Sequence, residues 1–341
     1  MRIDRITLRN FRNFTGPDFS ISWNPGINLI LGDNGAGKTN LLEALSIITG
    51  WGAFGKTSSV VSWHSPNHRA YLSAEISGSE NFVVDAEISS RISLRLNGKS
   101  VSFTDLRLSI PSVIFLTGNL ALIDGSPSAR RLFVDRLCAL FVPPFAKRLA
   151  DFRAVLRARS SLLRQGKSVA PTDTPFFRLG GWIMDIRRGV LSEMLKLIPS
   201  GKFSLEFVPA INTTGEEYLR YMTEKTSARE IYAQRPLYGP NYDDIAITIT
   251  ETGKPASESL SRGQKRRLIL YMIITAGKLI AQRFSREPVL LLDDLTAELD
   301  SVGREWACRE LCATGWQIFV TAPEKPFPSR KKFGVLTLPA V

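Results

Sequence analysis

The chain is poor in the residues that build metal centres and disulfide frameworks. Its 341 residues include three cysteines and two histidines. Cys138, Cys308 and Cys312 have neither paired nor zinc-ligand spacing. A reducing, cytoplasmic setting without structural zinc is therefore expected. His64 and His68 fall in one stretch, far from the other candidate residues, and read as loop residues. Long apolar runs are missing too. The longest lies within residues 268–281, is broken by Lys278, and is too short to span a bilayer. The first residues, Met1-Arg2-Ile3-Asp4-Arg5, have no hydrophobic signal core, so no membrane association is expected. Acid is scarce: 32 Asp and Glu face 44 Lys and Arg, for a net charge of +12. No internal repeat or low-complexity tract is present. The remainder is ordinary globular composition, 44% hydrophobic and 22% charged, enough for one large α/β domain or two smaller ones.

One stretch dominates what is there. Gly32-Asp33-Asn34-Gly35-Ala36-Gly37-Lys38-Thr39 fits the phosphate-cradling pattern of a glycine, four free positions and Gly-Lys-Thr. Residue frequencies allow on the order of one chance match per hundred chains of this kind. The preceding residues 27–31 read as a strand and residues 40–49 as a helix, which is the context the pattern needs. Glycines let backbone N–H groups curl round an anion, and the helix N-terminus adds unpaired donors. Lys38 is expected on the β- and γ-phosphates and the Thr39 hydroxyl on Mg²⁺. Asn40 completes the nucleotide-binding run.

Residues 2–9 read as a strand, and residues 71–108 as antiparallel strands, with Asn97-Gly98 as a hairpin turn. A further strand covers 112–117. Residues 118–237 read as a mostly helical insertion, so the expected parts are 1–117, 118–237 and 238–341. Within the insertion, residues 129–165 are helical, 166–175 a loop, 177–198 helical and 203–208 a strand. The strand at 245–249 is assigned to the resumed nucleotide-binding part. Ser261 and Gln264 form a capping box that starts a long helix at 265–283. Val289-Leu290-Leu291-Leu292, apolar without alternation, reads as a parallel-sheet strand ending in Asp293-Asp294. Asp293 would complete the Mg²⁺ shell beside Thr39, and Asp294 would orient or deprotonate the attacking water, with Lys38 as the other catalytic group. A helix after Asp300-Ser301 ends at Gly315, and residues 316–321 form the last expected strand.

The positive charge is not spread evenly. Residues 130–167 hold ten Lys and Arg against two acids, +8 of the +12. Clustering of that degree favours a nucleic-acid partner over a merely solvated face. Arg148, Arg153, Arg157, Arg159 and Arg164 are the expected DNA contacts.

Ser259-Leu260-Ser261-Arg262-Gly263-Gln264-Lys265-Arg266 resembles the signature motif of ABC-type ATPases. Leu292-Asp293-Asp294 followed by Ala297-Glu298-Leu299-Asp300 resembles their Walker B and D-loop. The resemblance implies that Ser261, Gly263, Gln264 and Asp300 of one copy cap ATP held by the phosphate loop of another. Leu8-Arg9-Asn10-Phe11-Arg12-Asn13-Phe14, the run from Leu122 to Asp135, and Arg235-Pro236-Leu237-Tyr238-Gly239-Pro240 with Asp243-Asp244 are similar to motifs of the RecF family of recombinational repair proteins, in family order.

That resemblance implies an ABC-type α/β ATPase head with an antiparallel subdomain and an inserted basic arm. The activity implied is an ATP-dependent clamp on duplex or gapped DNA, with Mg²⁺, slow hydrolysis, an ATP-induced homodimer and RecR and RecO partners. Arg12 is either a phosphate contact, from its place before the loop, or a salt-bridged surface residue. The chain departs from the family at Thr117-Gly118-Asn119-Leu120 and at Asn241-Tyr242, and no histidine follows Thr321, where many ABC ATPases sense the γ-phosphate. A nucleotide-gated DNA-binding module with little turnover is thus a second reading, and a transporter-type ATPase subunit a third.

Overall fold

A computed structural model of the chain describes residues 1–15, 18–116, 121–198, 203–209, 215–297, 299–327 and 333–339. The departure at 117–120 and Glu298 of the D-loop lie outside the described residues. The chain divides into two compact units, Met1–Asn119 with Ser261–Val341, and Leu120–Leu260.

The first unit opens with β1 (Arg2–Arg9), β2 (Phe19–Ser22), β3 (Ile27–Leu31) and helix α1 (Lys38–Ile48). It continues through β4 (Ala70–Ser77), β5 (Phe82–Ile88), β6 (Ile92–Leu96), β7 (Lys99–Val101), α2 (Phe103–Ser109) and β8 (Ser112–Phe115). The second unit holds α3 (Ala121–Asp124), α4 (Pro127–Phe141), α5 (Phe145–Arg164), α6 (Ala170–Leu195), β9 (Phe203–Val208), α7 (Glu216–Ala233), β10 (Asp244–Ile249) and α8 (Ala256–Ser259). The chain then returns with α9 (Arg262–Phe284), β11 (Val289–Asp293), α10 (Ser301–Thr314), β12 (Ile318–Ala322) and β13 (Gly334–Thr337).

Two sheets make the first unit. One is antiparallel, in the order β2-β1-β4-β5-β6-β7. Its strands alternate buried and wet residues, as a sheet with one solvated face must. In β1 the register slips between Ile3 and Arg5, which lets Ile3 and Ile6 both face inward. Asn97 and Gly98 both take positive φ, as a two-residue hairpin turn demands. The other sheet is wholly parallel, in the order β13-β3-β12-β11-β8. Helix α1 packs against β11 and β12 on one side and β4 and β5 on the other. That is why every residue from Leu41 to Ile48 is buried, Glu43 and Ser46 included. A helix covered on opposite sides has no wet face left to show an amphipathic pattern.

Several expectations give way. The antiparallel strands expected over 71–108 end at Val101, because Ser102 and Asp105 form a capping box and start α2. The expected loop at 166–175 is shorter. Helix α6 already begins at Ala170, since Pro171 and Pro175 sit early enough to lose few helical hydrogen bonds. Helix α7 was not anticipated; its apolar residues lack strong helical periodicity. Strand β13 follows the one expected to be last, and its bonds run to β3, which is distant in sequence.

The largest change is at the end of the insertion. Strand β10 pairs antiparallel with β9, not with either sheet of the first unit, so the second unit runs to Leu260 rather than 237. Buried charge holds that region. Arg187 of α6 donates to Asp135 of α4 at 2.8 and 3.1 Å, to Asp243 at 2.8 Å and to the Pro240 carbonyl at 2.6 Å. Burial works against the Arg187 charge, but Asp135 and Asp243 outweigh it and hold the guanidinium above its ordinary value. Arg130 grips Asp244 at 2.7 and 2.9 Å, and Arg131 donates to the Asp243 carbonyl at 2.6 Å. Arg187→Met takes the guanidinium away from two buried carboxylates. It is expected to cost about 3–5 kcal/mol of stability, read as a lower denaturant midpoint with the first unit's nucleotide binding retained.

Candidate nucleotide site

The site grows from the end of β3. Gly35 and Gly37 take φ of +89° and +96°, a region closed to most side chains. Gly35 faces open space, while an added Cβ on Gly37 would strike the Asn13 amide. Gly37 is also the N-cap of α1 and supplies no side-chain cap. The first N–H groups of the helix are thus left for an anion. Lys38 Nζ donates to the carbonyls of Gly32 at 2.6 Å and Asp33 at 2.8 Å, so the lysine closes the loop it will serve. Ala36 is buried, and its N–H donates to the Asp33 carbonyl.

Parallel pairing of β11 with β12 puts Asp293 opposite Thr321. Asp293 is 5% exposed and accepts from the Thr39 hydroxyl at 3.0 and 3.2 Å and from the Thr321 hydroxyl at 2.7 Å. Thr321 in turn accepts the Asp294 N–H at 2.9 Å. Sequence reasoning assigned Thr321 no role; its only signal was its place at the end of the strand beside the Asp-Asp pair. Asp294 sits at φ +50°, strained for a residue other than glycine. The cleft of about 320 Å³ that these residues share with Asn34 and Asn40 also contains Pro323, and neither histidine lines it. Among the described residues no group of three or more His, Cys, Asp or Glu gathers to hold a metal. One carboxylate and one hydroxyl beside a phosphate loop nevertheless suit Mg²⁺, which binds few protein ligands and completes its shell with water and substrate oxygens.

The N-terminal motif braces this loop. Asn13 donates to the Ala36 carbonyl at 3.2 Å and accepts from Asn40 at 2.9 Å. Arg12 does not line the cleft. Its guanidinium is bidentate on Glu43 of α1 at 2.7 and 2.9 Å and also donates to the Ser59 carbonyl at 2.9 Å. The salt-bridge reading of Arg12 therefore describes it better than the phosphate-contact one, because all three guanidinium nitrogens are committed within the unit.

The signature residues stand apart. Ser261 caps α9, accepting the Gln264 N–H at 3.4 Å while the Gln264 side chain accepts the Ser261 N–H at 2.8 Å. Ser261 and Gln264 are exposed, Gly263 is half-buried, and none lines the cleft. Asp300 caps α10. Its carboxyl is held below the ordinary range first by the Gly303 N–H and then by Arg267 of α9.

The expected DNA contacts lie on the second unit. Arg153, Arg157 and Arg164 are exposed along α5, and Arg148, also exposed, lies 4.4 Å over the Trp182 ring. Arg159 does not share that exposed face. It is 1% exposed, paired with Asp173 and Glu230 and laid over Phe176 at 4.8 Å. Two residues after Arg157, it turns to the inner face of α5 and cannot meet DNA. Arg130 and Arg131 are likewise spent on the Asp243-Asp244 segment, so the basic surface is smaller than the count of ten implied.

Residues 2–332 match the family model described as the RecF/RecN/SMC N terminal domain. A DNA replication and repair protein RecF of Deinococcus deserti is 31% identical over 95% of this chain and 91% of its own length. The chain belongs to the RecF family. A second RecF relative, from Heliobacterium modesticaldum, is 29% identical over 94% of this chain and 92% of its own. Among solved structures, the recombination mediator protein RecF-ATPrS of the RecFOR pathway matches with a TM-score of 0.85 at 22% identity, covering 98% and 97% of the two chains. A Pyrococcus furiosus Smc head domain with an extended coiled coil matches at 0.52 and 17%, covering 95% and 90%. The fold is thus the RecF-type ATPase head and arm. Thr321→Val removes one of the two hydroxyls that fix Asp293. Mg²⁺-dependent nucleotide affinity should fall about tenfold by titration, with the fold retained by circular dichroism.

Proposed function

We propose that this RecF-family chain is an ATP-dependent clamp on duplex or gapped DNA that acts in recombinational repair and helps to load recombinase. The observation that supports the proposal is the separation of two groups of residues. Lys38, Thr39, Asp293 and Asp294 meet in one cleft, while Ser261 and Gln264 stand exposed outside it. The ATPase unit is expected to bind ATP and Mg²⁺ through the first half and to offer the second half to the nucleotide of another copy. An ATP-sandwiched homodimer follows. Mg²⁺, when bound at Thr39 and Asp293, supplies charge neutralisation at the β- and γ-phosphates. Lys38 positions the phosphates, and Asp294 orients or deprotonates the water. Hydrolysis is slow in this reading, because Pro323 stands where a sensing histidine is common. Exposed Arg148, Arg153, Arg157 and Arg164 face the DNA backbone, and RecR- and RecO-type mediators are the expected partners.

A second reading, nucleotide-gated DNA binding with little turnover, draws on the same Pro323. ATP turnover with and without gapped duplex separates the two, and near-zero rates in both conditions reject the first. Ser261→Arg puts a bulky cation at the proposed seam. It should leave ATP affinity unchanged and weaken the ATP-induced dimer by at least about tenfold on a sizing column. Replacing Arg153, Arg157 and Arg164 together should lower the slope of log affinity against log salt by roughly three. An unchanged slope would return that face to ordinary solvated surface.

A further inference from the structure

Within the first unit, the start of α9 has two kinds of side chain. Ser261, Arg262 and Gln264 point to solvent. Arg266, half a turn on from Gln264, is 4% exposed and runs the other way. Its Nη1 donates to the carbonyl of Asp294 at 3.0 Å and to that of Leu295 at 3.3 Å. Those carbonyls belong to the turn that leaves β11 directly after the Mg²⁺-ligand candidate Asp293.

The Asp294 peptide is thereby held from two directions. Thr321 of β12 takes its N–H at 2.9 Å, and Arg266 of α9 takes its carbonyl. Such holding is what a φ of +50° requires, since a left-handed non-glycine residue persists only where its surroundings impose it. Arg267 adds a parallel link, from Nη2 to the Asp300 carboxylate at 3.0 Å. A helix is stiff over one turn, so displacement of the Ser261–Gln264 cap carries the Arg266 guanidinium with it. The guanidinium in turn carries the Asp294 backbone, and with it the carboxylate that would orient the attacking water.

We propose that Arg266 is a positioning residue that couples the exposed signature half-site of this chain to Asp294 in the chain's own nucleotide cleft. The inference rests on the composite-site reading given under Proposed function. In the dimer, capping of one copy's nucleotide by the other's α9 also sets Asp294 in the cleft of the capping copy. The two clefts become competent together, and hydrolysis is cooperative in ATP although each phosphate loop binds its nucleotide alone.

The test compares wild type, Arg266→Lys and Arg266→Met, with three readouts: fluorescent-ATP affinity, ATP-dependent dimerisation, and turnover against ATP concentration. Methionine keeps an apolar stem of similar length and removes the hydrogen bonds to the Asp294 and Leu295 carbonyls. The Met variant is expected to keep affinity and dimer formation while kcat falls about a hundredfold, the scale of a 1 Å misplacement. Its Hill coefficient should fall from about two to about one. Lysine, able to reach a carbonyl without the fork, should restore about tenfold of the lost rate. A purely structural role would lower the fraction of chains that bind nucleotide and the apparent kcat in the same proportion, through loss of folded protein, and would leave the Hill coefficient unchanged. If the Met variant does not fold, the Lys variant decides: lowered kcat at unchanged affinity supports the coupling, and unchanged kcat and Hill coefficient overturn it. A wild-type chain that binds ATP but stays monomeric overturns the composite-site reading and this inference with it. A cooperative wild type matched by Arg266→Met overturns this inference alone.

Discussion

The structure of the ATPase unit depends on where one carboxylate goes. Asp293 ends a strand buried along its whole length and is itself nearly enclosed. An ionised carboxylate in that position is costly unless hydrogen bonds meet it. Thr39 supplies one from the start of α1 and Thr321 another from β12. Those two hydroxyls fasten the phosphate loop to the parallel sheet. The order of the sheet follows the same need: β11 lies beside β12, and β12 beside β3, so all three chemical ends emerge on one edge. Ligands in open α/β sheets collect at the carboxyl ends of strands for this reason.

Around that anchor, charge performs two kinds of work. Some pairs are purely architectural. Arg12 with Glu43 sets the N-terminal turn against α1, and Arg187 with Asp135 and Asp243 closes the second unit. Buried pairs of this sort add little net stability compared with apolar packing, yet they punish the loss of one partner severely. They therefore fix which arrangement is allowed more than how stable it is. Other charges are left in water. Arg153, Arg157 and Arg164 are exposed along α5, beside the Lys147–Asp151 pair.

The signature helix joins the two halves of this account. Its cap is exposed, its next turn is buried, and its arginines reach the turn after β11 and the cap of α10. A single stiff element thus joins an exposed cap to the backbone of Asp294.

The phosphate loop, the strand ending in Asp293-Asp294, the Ser261–Gln264 capping box and the hairpin at Asn97-Gly98 were legible in the sequence. Each depends on residues close together along the chain, where backbone sterics and local hydrogen bonds decide the outcome. The family motifs were legible too, but not their work. That Arg12 meets Glu43, that Asp243 meets Arg187, and that Thr321 meets Asp293 depends on segments far apart in sequence. The same holds for β10, whose alternating pattern suited either sheet until β9 became its partner. Arg159 shows the limit most simply. Composition counted it as one more cation on a basic helix, and only the packing of α5 against α6 and α7 turned it inward to two carboxylates and a phenyl ring. Local chemistry declares what a residue can do, and the tertiary structure decides which partner, protein or ligand, it meets.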